Sequence, residues 1–197
     1  MLIFLSAVFF LLITPGPGVL SVAGVSAAFG ARPAYHYLFG LFIGTNLVAL
    51  TVVSGLAGLM LAHPLVRPVL LYASVAYLAY LAARIAFGGT NIAFIKKQST
   101  PNAVDGVLLQ LINPKAYVVN TTLFAGFPFA QISATTEVIW KFLLISIVWI
   151  PIHVLWLFAG LALKRMDLPQ HVQRRINYGM GLSLLLVVLL AVFYNAG

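Results

Sequence analysis

Six long apolar segments follow one another along the chain, at about 2–31, 37–62, 66–87, 103–127, 138–163 and 176–195. Pro, His, Lys and Arg gather in the short stretches between them. A helix needs about 20 apolar residues to cross a hydrocarbon core, and each segment offers roughly that. The segments are continuously apolar instead of alternating, which excludes barrel strands and predicts membrane helices. Breakers near the ends, Pro33, His63-Pro64, Pro68, Pro128 and Pro169, fit short turns. The expected fold is an all-α integral membrane protein of six transmembrane helices.

Two of the six segments are interrupted. Thr14-Pro15-Gly16-Pro17-Gly18 breaks the first and Asn113-Pro114-Lys115 the fourth, each 10 to 12 residues in. The one long polar connector, 88–102, divides the chain into half-repeats of about 1–87 and 103–197 within a single transmembrane domain, 1–197. Three spans per half make the second half enter from the opposite face. The pattern is therefore an inverted repeat whose first and fourth helices are broken. Corresponding interruptions in two such halves are the best sequence pointer to a carrier's binding site.

Composition adds little chemistry. The 197 residues are 62% hydrophobic and 7% charged, with a formal charge of +8. That charge does not call for nucleic acid, because the basic residues lie mostly in short loops. Arg32, Arg84, Lys96, Lys97, Lys164, Arg165, Arg174 and Arg175 fall on one side of the predicted membrane, and Arg67 and Lys141 on the other. The excess places 88–102 and 164–175 in the cytoplasm and both termini outside. Glu137 and Lys141, four residues apart, read as a local surface pair. The absence of Cys removes thiol relays and thiolate metal sites. No Lys or Arg precedes the apolar run Leu2–Ile13, so it reads as half of a retained, broken helix and not as a signal peptide.

The breaks carry the candidate site. Proline lacks an N–H and clashes with the carbonyl four residues back, so Pro15 and Pro17 are expected to free the carbonyls of Leu11 and Ile13, and Pro114 that of Gln110. The half-helices that restart present free N–H groups and a positive dipole end. Free carbonyls and free amides together suit a zwitterion. Lys115 is costly against lipid, so it is expected to face the cavity or to snorkel outward. Asn46 follows Gly40-x-x-x-Gly44, a pair that reads as close helix packing, and is itself either a binding or an interhelical hydrogen-bonding residue. His153 and Asp105 are the proton-coupling candidates, although a packed His and a solvated helix-start Asp are the plainer readings of each. No nucleophile elbow, carboxylate pair or clustered histidines point to an enzyme, a cofactor or a metal.

Thr14-Pro15-Gly16-Pro17-Gly18-Val19-Leu20 resembles the signature of the LysE/RhtB family of amino-acid exporters. So does Gln110-Leu111-Ile112-Asn113-Pro114-Lys115-Ala116, and Ala76-Tyr77-Leu78-Ala79-Tyr80-Leu81 with Arg84 is similar to the family's third segment. The resemblance covers the whole length. It implies proton-driven export of an amino acid or close derivative across a bacterial inner membrane, with Thr14, Pro15, Gly16, Pro17, Gly18, Asn46, Gln110, Asn113, Pro114 and Lys115 at the substrate. Position 18 departs from the family, in which many members carry Asn or Asp. Few carboxylates line the spans, which favours a neutral substrate over a dibasic one. A membrane subunit without transport activity, or a carrier of another solute or a metal, is the competing class. A homo-oligomer is compatible with the sequence and not specified by it.

Overall fold

The computed structural model describes residues 1–55, 63, 65–87, 100–129 and 132–166, with positions 171, 172, 175, 178, 179 and 182. Among these the regular structure is entirely helical. Seven helices can be bounded among the described residues: α1 (Leu2–Ile13), α2 (Pro17–Phe29), α3 (Ala31–Val53), α4 (Val66–Phe87), α5 (Ala103–Ile112), α6 (Pro114–Ala125) and α7 (Ala134–Arg165). The expected sixth segment, most of the connector and the end of the second segment lie outside the described residues. Of the described helices, α3 and α7 are long and apolar enough to cross a membrane. The pair α1–α2, bent by 51°, makes a third span if taken as one.

Both expected breaks are present, and the rule for residues preceding proline explains their shape. Thr14 (ψ 122°), Gly16 (φ −164°, ψ 179°) and Asn113 (φ −79°, ψ 106°) each precede a proline, and all three are extended. Proline's ring disfavours the helical region for its predecessor, so α1 and α5 stop there. Pro17 and Pro114 then occupy the first helical position, where a missing N–H costs nothing. The α2–α3 corner is a single residue, Gly30, at φ 90°. This left-handed value favours glycine. Pro33 and Pro68 lie in the first turns of α3 and α4, inside the helices and not in the turns before them.

Small residues set how closely the helices approach. A Cβ at Gly40 would run into the Ala103 carbonyl, and one at Gly106 into the backbone of Tyr37 and Leu41, so α3 and α5 touch backbone to backbone. Gly160 of α7 does the same against Ala23 and Ser26 of α2. This is membrane helix packing, in which small side chains replace the hydrophobic drive that lipid removes. Val22, Val25, Tyr37, Leu41, Leu109, Trp149 and Leu157 fill the main core.

The Glu137–Lys141 pair is not a surface pair. Lys141 is 1% exposed. Its Nζ donates to the Phe124 carbonyl at 2.7 Å and pairs with Glu137 at 2.6 Å. The rings of Phe4, Phe124 and Phe129 surround it at 6.0, 6.0 and 5.2 Å. Charge burial is expensive without partners, and here the partners come from a carboxylate, the carbonyl end of α6 and three ring faces. Beneath the clamp, Phe4, Val8, Val119 and Leu123 form a second apolar cluster.

Candidate functional site

The two breaks, about a hundred residues apart in sequence, meet at one cavity of about 50 Å³. By this measure a water needs about 10–15 Å³, so there is room for a few waters or a small polar group. Its polar wall is Thr14, Thr45, Gln110, Asn113, Lys115, Asn120 and His153, with Gly16 and Gly18 as backbone surface. Apolar residues, among them Leu11, Leu12, Val119, Leu123, Ile145 and Trp149, make up the rest.

Lys115 joins the breaks. Its Nζ donates to the Thr14 carbonyl at 2.6 Å, and its side chain passes so near Gly16 that a Cβ there would stand 2.9 Å from Cδ. Lys115 therefore faces the cavity and does not snorkel away from it. The carbonyl it uses is Thr14's, not those expected to be freed. The Gln110 carbonyl, in particular, accepts from the Asn113 N–H at 3.2 Å, because the chain turns tightly before Pro114.

The two restarting helices differ at their first turns. The start of α6 is capped from within: Asn113 Oδ1 accepts from the Lys115 N–H at 3.1 Å, while Asn113 Nδ2 donates to Gln110 Oε1 at 3.1 Å. The start of α2 has Gly16 at its cap position and no side-chain acceptor. Gly18 and Val19 of its first turn line the cavity, and unpaired first-turn amides with an aligned helix dipole attract anions. Positive potential thus gathers at one place, from the α2 start and the Lys115 ammonium.

The remaining expected residues are distributed as follows. Pro15, Pro17 and Pro114 shape the breaks but are not on the wall. Asn46 donates to the Phe42 carbonyl of its own helix at 2.7 Å, not to a neighbouring helix. It borders a smaller cavity of about 10 Å³ that shares Thr45, Asn120, Ile145 and Trp149 with the main one. Asp105 lies at the start of α5, in a reciprocal cap with Asn102, and the Tyr77 hydroxyl donates to its carbonyl at 2.8 Å. It is not on the cavity wall. His153 is, at 3% exposed.

Asn120 and Trp149 were missed from the sequence. Asn120 stands seven residues after Asn113, two helical turns along the same face, a signal that periodicity carries. Trp149 precedes His153 by one turn and stacks on its ring, with centroids 3.6 Å apart and planes at 13°.

The LysE type translocator family matches residues 9–195. Among curated proteins, leucine efflux proteins of Salmonella typhimurium and other Salmonella strains are 27% identical over 131 residues, 63% of this chain and 61% of theirs. An uncharacterized membrane protein of Pseudomonas aeruginosa is 31% identical over 129 residues, 61% of this chain and 60% of that protein. A leucine efflux protein of Klebsiella pneumoniae is 24% identical over 131 residues, 64% and 62% of the two chains. The matched stretch thus spans about three fifths of these relatives' length. No solved structure matches. With the family matched over nearly its whole length and its helices built for lipid, the chain belongs to the LysE type translocators and is a membrane protein.

Proposed function

We propose that this chain is a secondary transporter that exports a small neutral amino acid, or a close derivative, across the bacterial cytoplasmic membrane in exchange for protons. The observation that carries the reading is the meeting of both helix breaks at one polar cavity, bridged by Lys115 to Thr14. The substrate carboxylate would lie against the uncapped start of α2 and Lys115, and the ammonium group against acceptors on the opposite wall. Leucine is the first compound to try, because curated relatives are named for its efflux.

The architecture that goes with this reading is a single domain of six spans in two inverted repeats, about 1–87 and 103–197. The connector 88–102 and the stretch 164–175 then lie in the cytoplasm, with both termini outside. The loop distribution of Lys and Arg supports that orientation.

The test is transport by purified protein in lipid vesicles. Pro15→Ala with Pro17→Ala, and separately Pro114→Ala, lift the bar on helical geometry at the preceding residues, let the half-helices run on, and should not weaken the local helices. Leucine exchange should nonetheless fall at least tenfold. Lys115→Ala should fall similarly, and Lys115→Arg should not rescue it. Variants that insert, fold and exchange like the parent would make the breaks structural kinks and the chain's site another one.

A further inference from the structure

His153 presents one ring edge to protein and the other to the cavity. Its Nδ1 lies 2.9 Å from the Trp149 carbonyl oxygen. A carbonyl only accepts, so in the neutral ring Nδ1 carries the proton and Nε2 the lone pair. Stacking on Trp149 holds the ring in that plane. Nε2 is directed at Gly18, where an added Cβ would stand 3.5 Å from it. A larger residue at position 18 would cover it; glycine leaves it open.

The surroundings decide what that lone pair can meet. On the same wall, the first break offers Thr14, α2 offers Gly18, α3 offers Thr45, and α5 offers Gln110. From α6 come Asn120 and Lys115, whose ammonium is already held by the Thr14 carbonyl. Lys115 is the one charged side chain on the described wall, and no carboxylate is present there. Imidazole is the one side chain whose ordinary titration falls in the neutral range.

We propose that Nε2 of His153 is the exchange atom of the transporter: its single lone pair holds either the substrate's ammonium group or a proton, never both. The assignment rests on the export reading above. An ammonium N–H donates to Nε2 only while the ring is neutral. Protonation forms an N–H bond at that atom, removes the acceptor and makes the ring a cation that repels the ammonium. A proton taken from water on one face therefore displaces the substrate. Its return to water on the other face frees the lone pair for the next molecule. One proton moves against one zwitterion, with no acidic residue required.

The experiment uses the full chain in lipid vesicles with L-leucine as probe. In the parent, the half-saturating leucine concentration for exchange should rise on acidification, approaching about tenfold per pH unit once the imidazole is mostly protonated. Inhibition by 2-hydroxy-4-methylpentanoate, which has a hydroxyl where leucine has its ammonium, should not weaken in parallel. His153→Gln keeps an acceptor but cannot titrate. Its exchange, whatever its rate, should show no acid sensitivity, and it should fail to accumulate leucine on an imposed pH gradient. Accumulation by His153→Gln equal to the parent's overturns the assignment. So does leucine affinity in the parent that ignores pH, or that changes with pH as the hydroxy acid's does; these parent measurements decide the matter even if the variant does not fold. A parent that exchanges no amino acid at any pH fails the export reading itself, and this assignment falls with it.

Discussion

Lys115 Nζ and the Thr14 carbonyl oxygen stand 2.6 Å apart, a single hydrogen bond closing a loop of 101 residues between the two broken helices. Its acceptor exists because Thr14 precedes a proline and has left the helix. Its donor is placed there because Lys115 is the second residue of a helix that also begins at a proline.

That geometry makes Gly16 a control point. A Cβ at Gly16 would collide with Lys115 Cδ and Nζ, at 2.9 and 3.0 Å, while the backbone there is extended and open to any residue. The flexible end of a lysine yields easily. Gly16→Ala should therefore change stability by less than about 1 kcal/mol yet displace the ammonium from Thr14. We expect leucine exchange to fall at least fivefold with an unchanged melting temperature in detergent. A parallel loss of both would mean that the glycine serves folding alone.

Gly160 should behave in the opposite way. A Cβ there meets the backbone carbonyl of Ala23, which cannot swing aside, and the Ser26 hydroxyl that donates to that carbonyl. Gly160→Ala must push α2 from α7, an overpacking that costs about 1–3 kcal/mol. Thermal unfolding of the purified protein should show a clear drop, whereas Gly18→Ala, whose Cβ would make ordinary contacts at 3.5 and 3.6 Å, should melt like the parent.

Lys141→Met removes the cation from its clamp and leaves the Phe124 carbonyl unpaired. The expected loss is about 1–3 kcal/mol, since an orphaned buried acceptor forfeits its solvation. Glu137→Gln keeps a hydrogen-bond partner for Lys141 and should cost less. Equal melting of Lys141→Met and the parent would show the clamp to be energetically idle.

Asp105 is placed for architecture. Asp105→Ala removes the return half of the cap with Asn102, and Tyr77→Phe removes the bond to the Asp105 carbonyl. Each should lower stability by about 1 kcal/mol. Leucine accumulation on a pH gradient, scaled to folded protein, should stay within about twofold of the parent. Loss of gradient-driven accumulation in Asp105→Ala would return this carboxylate to the coupling machinery.

The breaks were legible because proline acts locally: it forbids helical geometry to its predecessor wherever the chain runs. Glycine's role at 40 and 44 was legible for a related reason, since spacing alone puts both on one helix face. What the sequence hid was non-local. Lys141 looked like the partner of a residue four positions away, and nothing in a linear pattern announces that Phe4 and Phe129 will enclose it. Asn46 shows the reverse case, a residue at a suggestive depth that bonds within its own helix. Which carbonyl Lys115 would find was also out of reach. Proline identifies the carbonyls that lose a partner, but the tightness of the turn at Asn113 decides which one is taken up again.

The Lys141 clamp constrains how the molecule could change shape. It fastens the beginning of α1, the end of α6 and the first turns of α7 at one knot. Any rearrangement that parts those three would have to draw an ammonium ion out of its ring of aromatic faces and away from the Phe124 carbonyl, leaving it Glu137 of its own helix alone. The inexpensive hinges lie elsewhere, at the extended residues Thr14, Gly16 and Asn113, where the helices are already severed and no ladder of hydrogen bonds resists rotation. The least costly motion available therefore leaves the knotted end as a fixed pivot and swings the half-helices across the breaks from it, α5 and α2 with its open start, past a Lys115 that stays with the fastened α6.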